Sequence, residues 1–375
     1  MVIYEKIKKY IATFLCIQKF KKENKKFFKS NKSKKITLIE FNAFYSTHFF
    51  LALISNFFSK KFDTKILAYF NHYLINSDID ETFKNKIKYS VGKLFGLGFF
   101  GIYKSLGICG FVKPDVKHLS EEADKIFDDI NKRIKFKQDI LDIKIDNIYL
   151  GDLIYDGFLR YNLNYTKDFT INISDTKFKN YLKNFIKLYL FWSEYFQKNK
   201  VHTVIGAICY YSHGLILRVA ISKNVRVFSY EGGQLFKLSK ERHLSHLEFR
   251  DFRKVFKSLN EETKKDLLSK AQKSIKNRLD GKVKNSIDEL VTTRSAFASD
   301  YNKDIKILKE NKKIKVLISS HNIGDVSNAF GRNHFADFYE WLNFLGQMSQ
   351  KTDYDWYIKD HPYYEDLKYS TTQQK

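Results

Sequence analysis

The stretch "VHTVIGAICYYSHGLILRVAISKNVRVFSYEGGQ", residues 201–234, carries the reading of the fold. Residues 204–208 form a short apolar run that reads as a buried strand. Ser212 stands where a side-chain oxygen can cap a helix, and the helical pattern runs to about Ser222. Residues 225–229 read as the next strand and lead into Glu231, Gly232 and Gly233, glycines that allow positive φ where the chain turns at a sheet edge. Strand, helix and strand at this spacing make a βαβ crossover. The crossover requires a parallel sheet whose ligand-binding groups gather at the carboxyl ends of its strands.

The same pattern occurs upstream and downstream. Residues 36–41 are an apolar run, 48–58 a helical pattern and 65–70 a second run. Downstream, "IKVLISSHNIGDVSNAFGRNHFADFYEWLNFLGQMSQKTDYDWYIKDHP" gives a strand at 316–319, a long polar turn at 320–333, an amphipathic helix at 335–349 and a strand at 355–358. The helical stretch "KFKNYLKNFIKLYLFWSEYFQKN" covers the first sheet. Residues 239–312 are polar, helical and rich in opposite charges, too poor in apolar surface for a core of their own. The expected organisation is α/β throughout. It comprises a basic segment at 1–35, a Rossmann-like domain at 36–238, a helical linker at 239–312 and a second, partial Rossmann-like domain at 313–375. A lone βαβ unit leaves a sheet edge unpaired, so the second domain is read as incomplete.

The chain has 375 residues, 66 Lys and Arg against 42 Asp and Glu, and a formal charge of +24. That charge favours an anionic partner: phosphates, nucleic acid or an acidic membrane face. The basic residues are spread along the chain and no nucleic-acid-binding motif gives them a docking geometry, so nucleic acid is not expected as a partner. Cys16, Cys109 and Cys209 are far apart, which excludes a disulfide framework and a zinc site, and all three read as buried apolar residues. The N-terminal 35 residues have no signal-peptide pattern and read either as a helix packed on its own domain or as a basic amphipathic helix on anionic lipid. Residues 91–112 approach spanning length but contain Lys93 and Lys104, and read as a buried helix pair or a membrane-touching surface. No phosphate loop or dinucleotide fingerprint is present; "GLGFFG" at 96–101 lacks the βαβ setting and the following acid.

Candidate chemistry lies at the strand ends. In "YIKDHPYY", Lys359 supplies a charge for phosphate and His361 a hydrogen bond or proton, while a surface lysine and a turn-stabilising histidine are the plainer account. Ser320, His321 and Asp325 would open onto the same crevice one strand over, or form local polar turns. Glu231 is placed to take a proton from an attacking hydroxyl, or is a solvated turn residue. Asp152, Asp156 and Arg160 share one helix face in "YLGDLIYDGFLRYN", whose strand-to-helix turn suits an acceptor; an intrahelical Asp156–Arg160 pair is the simpler explanation.

In these stretches the chain resembles the bacterial surface-polysaccharide glycosyltransferases of GT-B architecture, akin to capsule-biosynthesis proteins and transferases of acidic sugars. The carriers are "YLGDLIYDGFLR", "YSHGLILRVAISKNVRVFSYEGGQ", "VLISSHNIGD" and "FADFYEWLNFLGQMSQKTDYDWYIKDHP", spanning most of residues 36–362. The resemblance implies two Rossmann-like domains facing each other across a cleft, a nucleotide-sugar donor in the second, an acceptor in the first, and catalysis without bound metal or other cofactor. Lys359 and His361 match a K-x-H-P element that faces the nucleotide phosphates. "SYEGG" resembles the acidic element that supplies the base, with Glu231 in that role. Two departures stand out: Asp360 replaces the proline of the common K-P-H-P, and "YEGG" has one acid where sialyl- and Kdo-type transferases often have two. The expected activity is transfer of a sugar to a hydroxyl of a surface polysaccharide or lipid-linked glycan at the cytoplasmic membrane face. Because such enzymes carry further strands after K-x-H-P, the expectation includes a shortened donor domain or a partner chain that completes it. The non-enzymatic alternative is an inactive homologue that binds glycan or an assembly partner.

Overall fold

The structure is a computed structural model. It describes residues 2–28, 31–41, 45–70, 83–96, 98–162, 170–231, 234–245, 252–282, 308–321, 326–328, 330–331 and 333–359. The chain divides into two compact units. The first comprises Met1–Tyr230, Leu235–Ser245 and Ile323–Tyr339; the second comprises Glu231–Gln234, His246–Asn322 and Glu340–Lys375.

The first unit opens with helix α1 (Val2–Phe27), strand β1 (Ile36–Glu40), α2 (Tyr45–Phe62) and β2 (Lys65–Tyr69). Next come α3 (Phe83–Phe95), α4 (Gly98–Ser105), β3 (Gly110–Val112), α5 (Ser120–Arg133) and α6 (Lys137–Leu141). A small antiparallel pair, β4 (Lys144–Ile145) and β5 (Ile148–Tyr149), precedes α7 (Gly151–Tyr161) and α8 (Thr176–Lys198). The chain then forms β6 (Val201–Gly206), α9 (His213–Ser222), β7 (Arg226–Glu231) and β8 (Gln234–Leu238).

The main sheet has strand order β3-β2-β1-β6-β7-β8, with β3-β2, β2-β1, β1-β6 and β6-β7 all parallel. The α/β expectation holds. β1 sits at the centre, all five of its residues are buried, and it is paired on both sides, as expected of a strand covered on both faces of a parallel sheet. From β1 the chain moves outward through β2 to β3, then returns to β6 on the other side. The order therefore reverses between β1 and β6, the point at whose carboxyl strand ends open α/β sheets bind ligands.

The helical spacing read in α8 is realised. Phe178, Tyr181, Leu182, Phe185, Ile186, Tyr189 and Trp192 are buried along one side, and Asp175 caps the start by accepting from the Lys177 amide at 2.9 Å. At one end of this stripe the Trp192 ring meets Tyr69 of β2 edge-on, with centroids 5.7 Å apart.

Several boundaries differ from expectation. β6 spans Val201–Gly206 rather than 204–208, because the chain leaves the ladder at Ala207, whose N–H turns to a side chain. Ser212 occupies the cap position of α9, but its backbone is helical and its hydroxyl caps nothing. The basic N-terminal segment is not separate: α1 packs on α4, with the Lys21 ammonium donating to Gly96 O at 3.0 Å and the Asn24 amide to Ser105 Oγ at 3.2 Å. Cys209 is buried as expected, whereas Cys16 and Cys109 are exposed.

The second unit holds α10 (Phe252–Ser258), α11 (Glu261–Leu279), β9 (Lys315–Ser319), most of α12 (Phe338–Gln350) and β10 (Asp355–Lys359). Neither α10 nor α11 buries a residue, in keeping with their polar sequence. β9 and β10 pair in parallel from Lys315↔Asp355 to Ser319↔Lys359, the βαβ pairing read from the sequence. The long turn between β9 and α12 does not stay with those strands: Ile323–Tyr339 cluster with the first unit. α12 starts at Phe338 rather than 335 because Asp337, just before it, is held by Tyr155 and Thr170, whose hydroxyls donate to Oδ2 at 2.5 and 2.6 Å.

A buried ion pair fastens α9 to α7. The Arg218 guanidinium meets both Asp152 oxygens, Nη1–Oδ1 at 2.5 Å and Nη2–Oδ2 at 2.6 Å, and donates also to Tyr149 O at 2.7 Å. Both side chains are almost fully enclosed, so removing one partner leaves the other charge stranded. Arg218→Met is expected to lower unfolding free energy by about 3–5 kcal/mol in urea titrations, and adding Asp152→Leu should restore much of it. A loss of under about 1 kcal/mol in the single variant would mean that the pair is not a clamp.

Candidate functional site

The sheet reversal brings together a carboxylate and an imidazole. Glu40 is the last residue of β1 and is fully buried. A carboxylate in that position costs several kcal/mol unless its oxygens find donors. Both do: Oε2 accepts the Ala207 N–H at 2.7 Å, and Oε1 bonds Nδ1 of His213, the first residue of α9. The strand end is held from the other side as well, since the Tyr103 hydroxyl donates to Glu40 O at 3.0 Å.

The loop from β6 to α9 aims the imidazole. Tyr211 lies in the left-handed region at φ +52, a strained conformation for a bulky residue and one that persists only where neighbours enforce it. Those neighbours include Gly214, where a Cβ would stand 2.3 Å from Cys209 O, so that only glycine allows the loop to close on the helix. Cys209 is anchored in turn: its sulfur accepts the Ser245 N–H at 3.1 Å and its thiol donates to Ser245 Oγ at 3.4 Å.

Beside this pair lies Tyr69, at the end of β2. Its phenol is fully buried and its hydroxyl has no hydrogen-bond partner among the described residues. Burial first, then the charge of Glu40 and the proximity of Tyr103, hold its ionisation well above the usual phenol range. A Cβ on Gly206 would approach its oxygen to 3.4 Å, so the glycine keeps that part of the strand end narrow. With Nδ1 bonded to a carboxylate, any proton exchange of His213 with a ligand would run through Nε2. Such an arrangement can orient a general base. Among the described residues no group of three or more His, Cys, Asp or Glu could hold a metal ion.

Comparison with family models, with curated proteins and with solved structures returns no match.

The residues singled out from the sequence are distributed over both units. Asp152, Asp156 and Arg160 lie on α7 as read, but they do not act together. Asp152 is engaged by Arg218. Arg160 lies over the Tyr211 ring, 6.0 Å from its centroid. Asp156 is buried and, rather than pairing with Arg160, accepts from Asn328, N at 3.0 Å and Nδ2 at 2.9 Å. Burial pushes the Asp156 carboxyl up to about 8, with the bonds from Asn328 pulling the other way. Glu231 ends β7, half-buried.

In the second unit, Ser320 and Lys359 meet at the ends of the two parallel strands: Ser320 N and Oγ both donate to Lys359 O, at 2.9 and 3.0 Å. The Lys359 side chain is exposed, as is His321. Asp325 and His361 lie outside the described residues.

Glu40 and His213 were absent from the sequence-derived candidates. Glu40 closes the run "ITLIE" and was absorbed in an apolar strand, and His213 was passed over beside a capping serine. A charge at the last position of a strand otherwise uncharged and mostly apolar was the available signal, since such a charge must find a partner on a neighbouring element.

Asp156 gives a pH dependence of known sign. Between about pH 4 and 8 the unfolded carboxyl is ionised and the folded one protonated. The unfolded state then binds fewer protons, and stability falls as pH rises, by up to about 1.4 kcal/mol per pH unit, levelling above pH 8. The difference in denaturation free energy between the wild type and Asp156→Asn should show this decline. A difference that grows in favour of the wild type across that range would refute a neutral buried Asp156.

Proposed function

We propose that the protein is a glycosyltransferase in which His213, oriented by Glu40, deprotonates the acceptor hydroxyl. The observation that carries this reading is the buried Glu40–His213 bond at the sheet reversal, where open α/β sheets bind ligands. The resemblance to GT-B transferases, borne by "SYEGG", "VLISSHNIGD" and "YIKDHP", supplies the reaction class.

In the proposed reaction, an acceptor hydroxyl within hydrogen-bond reach of Nε2 attacks the anomeric carbon of a nucleotide sugar. The new C–O bond forms as the bond to the nucleotide phosphate breaks, and the hydroxyl proton passes to Nε2. Glu40 keeps Nδ1 protonated and faces the imidazolium that forms. The nucleotide leaves with the bonding electron pair on its phosphate. This assigns the base to His213, which a buried carboxylate orients, in place of Glu231, which ends β7 half-buried. The donor's phosphates are assigned to the second unit, where the exposed ammonium of Lys359 and the imidazole of His321 stand at the ends of adjacent parallel strands. His361, two residues beyond Lys359, belongs to the same element in sequence.

The test is a turnover assay against CMP, CDP, UDP and GDP sugars, with donor hydrolysis as the readout that needs no acceptor. His213→Ala should lower kcat by about 10²–10⁴-fold with KM for the donor little changed, and Glu40→Gln should lower it in the same direction. His361→Ala should reduce donor turnover at least about tenfold, through KM. Unaltered kcat in a folded His213→Ala protein would sink the base assignment, and a folded wild type inert toward every donor would sink the transferase reading.

A further inference from the structure

A strongly basic part of the first unit also exposes large apolar side chains. α1 contains eight Lys and two Glu in 26 residues, and α3 four Lys and no acid in 13. Both pack on α4, and the α3–α4 turn is stitched to α1 by the bond from Lys21 to Gly96 O; Lys104 on α4 also donates to Lys93 O of α3 at 2.7 Å. Positive charge is crowded here: the Lys21 ammonium is held below its usual value first by burial, then by Lys25 and Lys104.

Large apolar side chains stand out in the same layer. On α3, Ile87, Val91, Leu94 and Phe95 are all exposed, Leu94 at 74% and Phe95 at 67%. Their spacing of i, i+4, i+7 and i+8 puts them on one helix face. On α1, Ile11, Phe14 and Leu15 are exposed at i, i+3 and i+4. In a helix that faces only water these positions would be polar. Here the sequence places apolar residues on them and surrounds them with lysine.

We infer that α1 and α3, braced by α4, form a seat for an anionic lipid bilayer, with Leu94 and Phe95 entering the acyl boundary and the lysines meeting lipid phosphates. Charge decides the partner. A cationic rim around an apolar stripe complements a surface that is anionic outside and apolar beneath, which a bilayer is. Duplex nucleic acid would use the lysines and leave the aliphatic side chains in water. The helices lie in the interface rather than cross it, since among the described residues no helix is long and apolar enough to span a membrane. The inference is independent of the transfer chemistry and stands if that fails.

The experiment is co-sedimentation of the full chain with vesicles of phosphatidylcholine alone and of phosphatidylcholine mixed with phosphatidylglycerol. The wild type should sediment with the anionic vesicles only, and less as salt is raised. Leu94→Ser with Phe95→Ser should weaken that binding by about tenfold or more, and Ile11→Ser with Leu15→Ser should weaken it independently. All four side chains are exposed, so far-ultraviolet circular dichroism should be unchanged. Leu267→Ser with Leu268→Ser, also exposed on α11, should bind as the wild type does. Anionic binding unaffected by both apolar pairs, equal binding to neutral vesicles, or equal binding to duplex DNA at matched phosphate concentration would each overturn the assignment, the last in favour of a nucleic-acid partner.

Discussion

A charge at the centre of the sheet organises the first unit. Glu40 ends a strand that is buried along its whole length, where an unpaired carboxylate would be too costly to persist. Meeting that requirement draws three other segments to one point: the Ala207 amide as the chain leaves β6, His213 at the start of α9, and Tyr103, which binds the carbonyl of the same residue. The strained Tyr211 backbone and the glycine at 214 are the local consequences of forcing the β6–α9 loop into this position.

α7 shows the same constraint at two further positions. Its buried carboxylates face opposite fates: Asp152 is charge-paired with Arg218, whereas Asp156 meets neutral donors of Asn328 and Ser327 and is held protonated by burial. Between them Tyr155 reaches Asp337. Asn328 and Asp337 are therefore bound to α7 by polar contacts. That explains how a segment lying between β9 and β10 in sequence belongs to the first unit. The polar composition of this turn, read from the sequence as a ligand loop, serves at Asn328 and Asp337 to satisfy buried partners.

Charge is used differently at the surface. The lysines of α1 and α3 outnumber the acids and accompany exposed apolar side chains, so the first unit carries a cationic, apolar layer on α1, α3 and α4 as well as a buried dyad at its strand ends. A hydrophilic acceptor attached to lipid would call on both features, the one for capture and the other for proton transfer.

The parallel sheet, its βαβ units, the covering helix α8 and the polar helices of the second unit were legible in the amino-acid sequence, because hydrophobic period and turn residues are local properties. The β9–β10 pairing and the α7 start were legible for the same reason. Site membership was not. Glu40 and His213 are 173 positions apart, and nothing local says which distant element supplies the partner of a carboxylate that ends a buried strand. Asp156 and Arg160 had the right spacing for a pair, yet Asn328, 172 positions away, took the carboxylate. Periodicity along the chain determined which segments became strands and helices. Which buried charges found each other was decided only when the sheet order brought β1 beside β6, since a charge in a low-dielectric interior selects its partner by distance in space and not by distance in sequence.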